Sequence, residues 1–295
     1  MHTLPSTWIA SSSVGNRRGM LTRRALILGG LSAATAHAAR NEHGFEETHV
    51  ELIVPGLDPA HDGLRVAQVS DLHIGLCTPE RRVRAAIARI NALAPDLAVL
   101  TGDFVTYSRS PLPQVGELLD GLKVPTVAVL GNHDHFVDPD AVARSLDRCG
   151  YAVLRNQHAE LRVRGVRFNV FGVVDGGTRN DDPHLTFDGA PTSGSRLVLT
   201  HNPLTIHKLP KDEGLVCLSG HTHGGQIVVP PITDALSTAL GQPYIRGSYF
   251  VGGNHLYVNR GLGFGRESDF LHHGSEPELA LFTLRAPEAF GGIGR

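Results

Sequence analysis

Residues 64–73, LRVAQVSDLH, and residues 126–134, TVAVLGNHD, decide the fold: each is an apolar run that stops abruptly and hands over to Asp, Asn or His. Apolar runs of this length bounded by polar punctuation read as buried strands. Three more stretches end the same way, LAVLTGD (97–103), RLVLTHNP (196–203) and LVCLSGHTH (215–223). Between them fall helical patterns. Thr78-Pro79 reads as an N-cap followed by Pro at the first helical position, and Val83, Ile87 and Ile90 then share one face at spacings of four and three. Gln114–Leu122 and Pro139–Cys149 read as two further helices. The second half is richer in strands: Leu161–Val163, Arg167–Phe171, Arg196–Leu199, Leu215–Leu218, Ile227–Val229, His255–Val258 and Glu278–Leu284. A parallel-leaning first half and a strand-rich second half predict two sheets packed face to face with helices outside. Residues 175–195 and the segment from Pro230 to Gly247 read as surface loops.

The 295 residues are 41% hydrophobic and 19% charged, enough apolar material for a packed core, which excludes wholesale disorder. With 27 basic and 29 acidic groups the formal charge is -2, so no broad cationic field exists for nucleic acid, and no specific nucleic-acid partner is indicated. Three scattered cysteines, Cys77, Cys149 and Cys217, form no CxxC pair and indicate neither a disulfide framework nor a thiolate zinc site. Histidine is the outlier, with 17 copies.

The N-terminus differs from the rest. Residues 1–38 hold Arg17, Arg18, Arg23 and Arg24 but no acid, then the apolar run Ala25 to Ala36, too short to span a bilayer as a helix, and the small-x-small pattern Ala36-His37-Ala38. This is the layout of an export signal cleaved after Ala38, and Thr22-Arg23-Arg24-Ala25-Leu26-Ile27 resembles the twin-arginine type handled by the Tat machinery. The expected location is periplasmic or otherwise extracytoplasmic, with membrane association as a variant of it. The expected organisation is a signal over 1–38, a linker over 39–50, one folded domain over 51–285 and a flexible tail over 286–295.

The five strand ends carry the chemistry. Ends on one edge of an α/β sheet converge in space, and such sheets bind their ligands beyond the carboxyl ends of the strands. The i, i+2 spacing of Asp71 with His73 and of His221 with His223 suits alternate residues of an extended segment pointing the same way. Gly102, Gly131 and Gly220 each precede a candidate ligand and permit close backbone approach. Asp71, Asp103, Asn132, His73, His201, His221 and His223 together form an oxygen and nitrogen donor set without thiolate, which suits Mn²⁺, Fe or Zn²⁺ at a reactive site. Singly, the acids and Asn132 read as turn or helix caps and the histidines as polar loop residues. Jointly, seven donors exceed one tetrahedral ion and suit two ions sharing a carboxylate.

This spaced set, Asp71-Leu-His73, Gly102-Asp103, Gly131-Asn132-His133-Asp134, His201 and Gly220-His221-Thr-His223, resembles the calcineurin-like metallophosphoesterases. Gly224-Gly225-Gln226, Tyr244 with Gly247, and Tyr257 to Gly263 further resemble the exported bacterial YkuE/YaeI-like branch, whereas Phe264 to Gly274 lacks the Pro-x-Arg stretch expected before Pro277-Glu278. The resemblance implies an α/β four-layer sandwich of two mixed sheets flanked by helices. It implies that Asp71, His73 and His223 hold a first divalent ion, that Asn132, His201 and His221 hold a second, and that Asp103 bridges them. It implies attack on a phosphoester by a metal-activated hydroxide, with His133 protonating the leaving oxygen or stabilising the transition state and Asp134 orienting His133. A phosphodiesterase or pyrophosphatase is expected, with a phosphomonoesterase and a noncatalytic scaffold as alternatives. Lipid-linked phosphoesters are among the expected substrates, although the superfamily's UDP-2,3-diacylglucosamine hydrolysis conflicts with an exported location. Tyr244, Arg246, Asn259 and Arg260 read either as phosphate or base contacts or as packing residues. Ile232, Leu236, Leu240, Ile245, Tyr249 and Phe250 read as a loop packed on the core, the alternative being contact with an acyl chain or a membrane surface.

Overall fold

A computed structural model describes residues 37–40, 44–75, 78–225, 232–263 and 275–287. The residues of the expected export signal up to position 36, the expected strand Ile227–Val229, the segment Phe264–Gly274 and residues 288–295 of the tail lie outside the described residues. The first half of the chain gives β1 (His37–Arg40), β2 (Glu46–Ile53), β3 (Leu64–Val69), α1 (Glu80–Leu93), β4 (Leu97–Thr101), α2 (Leu112–Leu119), β5 (Thr126–Val129), α3 (Asn132–Val137) and α4 (Pro139–Arg148). There follow β6 (Ala152–Val153), β7 (Gln157–Val163), β8 (Val166–Gly172), α5 (Pro183–Phe187), β9 (Ser195–Leu199), β10 (Val216–Ser219), α6 (Ile232–Ala239), β11 (Gly247–Val251), β12 (Asn254–Val258) and β13 (Glu278–Arg285).

The strands form two mixed sheets, ordered β1-β2-β13-β3-β4-β5-β6 and β11-β12-β10-β9-β8-β7. Within the first, β3, β4, β5 and β6 run parallel; within the second, β8, β9, β10 and β12 do. Alternation along the strands builds the layers. Val66, Val99, Val127 and Val129 from the first sheet meet Phe168, Val170, Leu197, Leu199 and Leu218 from the second in a shared apolar layer. The opposite side chains of the first sheet, Ala67, Val69, Ala98 and Leu100, face Val83, Ile87 and Ile90 of α1, Val115 and Leu119 of α2, and Val142 and Leu146 of α4. On the far side of the second sheet, Phe171, Val198, Cys217 and Val258 are covered by Ile206, Leu209 and Phe187, so the fourth layer is thin. The expected sandwich is therefore the observed one.

Several boundaries move for physical reasons. The helix expected from Thr78-Pro79 has Pro79 itself at the N-cap position, with no side-chain cap, and begins at Glu80. The segment up to residue 50, read as linker because of its charges, contains most of β2, which pairs along eight residues with β13; Glu47 stays buried there by bonding Arg89 (2.5 and 3.0 Å). The Pro230–Gly247 segment is not a loop packed on the core: it carries α6, none of whose residues is buried, and of the six apolar residues named there only Ile245 is buried. Residues 175–195 likewise include the short α5, capped by Asp182 through Leu185 N.

Candidate metal centre

Five of the parallel strands, β3, β4, β5, β9 and β10, deliver their carboxyl ends to one edge where the two sheets meet. Gln68 Nε2 crosses between the sheets there, donating to Ser219 O (2.9 Å) and Thr101 Oγ1 (2.9 Å). The chain then turns sharply. Asp71, His73, Asp103, His221 and His223 all have positive φ, from 44 to 77°, a region that side-chain-bearing residues enter at a cost of about 1–3 kcal/mol each. The extended-chain reading of Asp71/His73 and of His221/His223 is thus corrected, since left-handed turns aim them; His221 and His223 go to different groups, as the expected ligand division has them. Gly131 and Gly220 serve close approach. A Cβ on Gly131 would collide with Asp103 Oδ1, and one on Gly220 with Ser70 Oγ and Asp71 Oδ2.

Two groups of donors result. Ligand atoms of Asp71, His73, Asp103 and His223 lie within 4.8 Å of one another, and so do those of Asp175, His201 and His221. Within the first, His73 Nε2 is 3.2 Å from His223 Nε2, which is 3.3 Å from Asp71 Oδ1. Within the second, His221 Nδ1 is 3.2 Å from His201 Nε2 and 3.0 Å from Asn132 Oδ1. Asp103 Oδ2 joins them, 3.7 Å from His73 Nε2 and 3.2 Å from His201 Nε2, while Asp103 Oδ1 accepts from His133 N (2.9 Å). The structure brings all seven expected donors together.

The donors fit divalent cations. Metal bonds of about 2.0–2.2 Å space neighbouring ligand atoms about 3.0–3.4 Å apart, close to the separations found. Each of three imidazoles has its other nitrogen engaged: His73 Nδ1 with Thr106 Oγ1 (3.2 Å), His201 Nδ1 with Thr101 O (2.7 Å), and His223 Nδ1 with Gly263 O (3.3 Å). That leaves Nε2 of each for an ion, the arrangement that orients metal-bound histidines.

The site's electrostatics follow from burial and crowding. Burial is the main reason His73 falls to about 4, and burial followed by the charge of His201 lowers His221. For His201 burial acts downward, but Asp103 and then Asp71 outweigh it and raise the imidazole well above its usual value. For Asp103 burial acts upward, yet His201, then His73 and His133, hold the carboxyl well below the usual range.

One role changes. Asp134 does not touch the His133 ring; its buried carboxylate accepts four backbone N–H groups, from Asp103 (2.9 Å), Phe104 (2.9 Å), Val105 (3.2 Å) and Gly131 (2.9 Å). It staples the β4 and β5 turns together, and burial followed by the Asp103 charge raises it to about 7. The His133 ring is oriented instead through Nδ1 and Thr106 O (2.8 Å), edge-on to His73 and Tyr107. A carbonyl is a natural partner for an imidazole N–H, and sequence spacing gives no sign of it.

The other candidates divide. Arg260 pairs with Glu46 (2.7 Å) and Glu278 (3.3 Å), tying β2 to β13 and to the end of β12 as a packing residue. Arg246 bonds Gly224 O (3.1 Å) and Asp234 (3.2 Å), Tyr244 bonds His207 (3.1 Å), and Asn259 Oδ1 accepts from Gly261 N (2.8 Å). Sequence reasoning missed Asp175, fully buried in what reads as a surface loop. Its signal was available, since β8 too is followed by an apolar pair running into a carboxylate, Val173-Val174-Asp175-Gly176.

Because an ion requires neutral imidazole, loading the centre displaces the proton that Asp103 and Asp71 favour on His201. We expect Mn²⁺ affinity, measured by titration calorimetry on metal-free protein, to fall by about tenfold per pH unit for each displaced proton as the pH is lowered from 7.5 to 6.5. Equal affinity at both values would refute this coupling.

Comparison with known proteins agrees with the geometry. A family model described as calcineurin-like phosphoesterase matches residues 64–225. The uncharacterized metallophosphoesterase YkuE of Bacillus subtilis is 32% identical over 285 residues, covering 90% of this chain and 98% of that protein. The UDP-2,3-diacylglucosamine pyrophosphatase LpxG of Chlamydia trachomatis is 30% identical, covering 74% of this chain and 83% of its own length. The phosphodiesterase YaeI of Escherichia coli is 29% identical, covering 83% and 93%. With its two joined donor groups, which suit the two divalent ions this family uses, the chain belongs to the calcineurin-like phosphoesterase family and is a metal-dependent phosphoester hydrolase.

Proposed function

We propose that the protein is an exported phosphodiesterase or pyrophosphatase acting on a lipid-linked phosphoester, with manganese the expected metal, and that Asp71, His73 and His223 serve one ion, Asn132, His201 and His221 the other, and Asp103 both. The observation that supports a two-sided substrate is a cavity of about 610 Å³, lined among others by His135, Phe136, Arg155, Asn156 and Asn180. Its lining neighbours the donors along the chain: α3 carries Asn132 and His133 as well as His135 and Phe136, and Asp175 falls between the lining residues Val174 and Gly177. The exposed ring of Phe136 and the guanidinium of Arg155, which pairs with Asp140 (2.6 Å), suit the second half of a diester or pyrophosphate. The names of the LpxG and YaeI relatives, a pyrophosphatase and a phosphodiesterase, support the same reading.

For the lipid-linked part, the support is α6. Ile232, Leu236 and, one residue beyond the helix, Leu240 recur every fourth residue and are 62%, 56% and 73% exposed, an apolar stripe on an element that packs near His223. Such a stripe suits an acyl chain or the surface of a membrane. Among the described residues no helix is long and apolar enough to cross a membrane.

When bound, a pair of divalent ions lowers the pKa of a water and offsets charge on the phosphoryl oxygens. The chain's own residues set the geometry for that. Asp103 Oδ1, anchored by His133 N, fixes Oδ2 between the two groups. Half-buried His133, its Nδ1 committed to Thr106 O, keeps Nε2 for handing a proton to the leaving oxygen.

Three measurements test these parts. With Mn²⁺, turnover of bis(p-nitrophenyl) phosphate is expected to exceed that of p-nitrophenyl phosphate, and a lipid-linked pyrophosphate to be cleaved faster still; preference for the monoester would overturn the diester reading, and no turnover with Mn²⁺, Fe²⁺ or Zn²⁺ would favour a scaffold. His133→Asn is expected to keep its metal content and lose about 10²–10⁴-fold in kcat; metal loss in parallel would remove the acid role. For export, replacing Arg23 and Arg24 by Lys is expected to hold the protein in the cytoplasm, and unchanged export would exclude the twin-arginine route.

A further inference from the structure

A sixth strand end reaches the same edge. β8 runs parallel to β9, Val173 N donates to Leu199 O (2.9 Å), and two residues later Asp175 enters the space beside His201 with no exposed surface. Asp175 Oδ1 accepts from Gly177 N (2.6 Å), and its main-chain oxygen accepts from Thr178 Oγ1 (2.7 Å). Those bonds account for the turn. They do not account for Oδ2, which is buried and has no hydrogen-bond partner. A buried carboxylate oxygen left without a partner is costly, and Asn or Ser would cap Gly177 N without a charge.

What faces this carboxylate is the second donor group. One of its oxygens lies within 4.8 Å of ring nitrogens of both His201 and His221. Nearby on α3, His135 has a buried Nε2 that also lacks a hydrogen-bond partner. The distribution of carboxylates points the same way. Asp71 and Asp103 serve the first group, whereas Asn132, His201 and His221 bring no negative charge and only share Asp103. Two divalent ions would then meet their anions almost entirely on one side.

We propose that Asp175 is an eighth member of the centre, an anionic ligand of the second ion that balances Asp71 on the other side. Its hard oxygen beside two imidazoles and an amide tilts that position toward Mn²⁺ or Fe over a thiolate-type zinc site. This rests on the division of ligands proposed above, and the experiment separates the two.

Metal-free wild-type protein, Asp175→Asn and Asp175→Ser are reloaded with Mn²⁺. Ions per chain are counted by mass spectrometry of the metal after desalting, spin coupling is read by electron paramagnetic resonance, and Tm is measured without metal. Both substitutions keep an acceptor for Gly177 N, and Ser provides a second test if Asn fails to fold. The expected result is two coupled ions in the wild type. In the variants the first ion binds as before, the second binds about 10–100-fold more weakly, the coupled signal disappears, and the metal-free Tm stays near wild type. Two ions at wild-type affinity in a folded variant would reduce Asp175 to a turn cap and overturn the proposal, as would equal weakening of both ions. Fewer than two ions in the wild type would instead defeat the underlying division of ligands.

Discussion

Asp103 Oδ2 sits between two sets of imidazoles, 3.7 Å from His73 Nε2 and 3.2 Å from His201 Nε2, and the rest of the centre is arranged so that this one oxygen stays there. Its partner Oδ1 is held by His133 N, its own N–H by Asp134 Oδ2, and its carbonyl accepts from His73 N (2.9 Å). A carboxylate this deeply buried would favour its proton in isolation; the neighbouring imidazoles reverse that preference. The result is an anion placed between the two donor groups, held by hydrogen bonds that do not themselves depend on metal.

The fold exists around that oxygen in a definite sense. One apolar layer between two sheets sets their parallel strand ends on a common edge, so that β3, β4 and β5 meet β9 and β10 there. The turns beyond the strands are strained, with five of the seven metal-directed side chains at positive φ. Strain of about 1–3 kcal/mol per residue persists only where surroundings over-determine it. At Asp103, Asp134 provides that determination, through four N–H bonds across two turns. It is a structural member of the centre, and its effect on chemistry passes through the positions of Asp103 and Asn132.

Much of this was legible in the residues. Apolar runs closed by Asp, Asn or His located the strands and seven donors, because burial demands hydrophobic strands and metals demand lone pairs, and both leave composition behind. What the sequence concealed depends on contacts distant along the chain. Glu47 looks like linker until Arg89, in a helix forty residues away, covers its charge. Asp134 and the His133 ring are neighbours in sequence but bond to Gly131, Asp103 and Thr106 rather than to each other. Asp175 was lost because the Gly, Asp and Pro that follow it read as surface, whereas the backbone first passes through the centre before leaving it. Arg260, chemically suited to phosphate, is committed to Glu46 and Glu278, a role only the β2–β13 pairing reveals.

The shared carboxylate is tested most directly by a crystal structure of the full-length protein grown with Mn²⁺, with anomalous scattering collected at the manganese edge. Two peaks about 3.5–4 Å apart, with Asp103 Oδ2 within bonding distance of both, are predicted. A single peak, or two peaks of which only one contacts Asp103, would contradict the account.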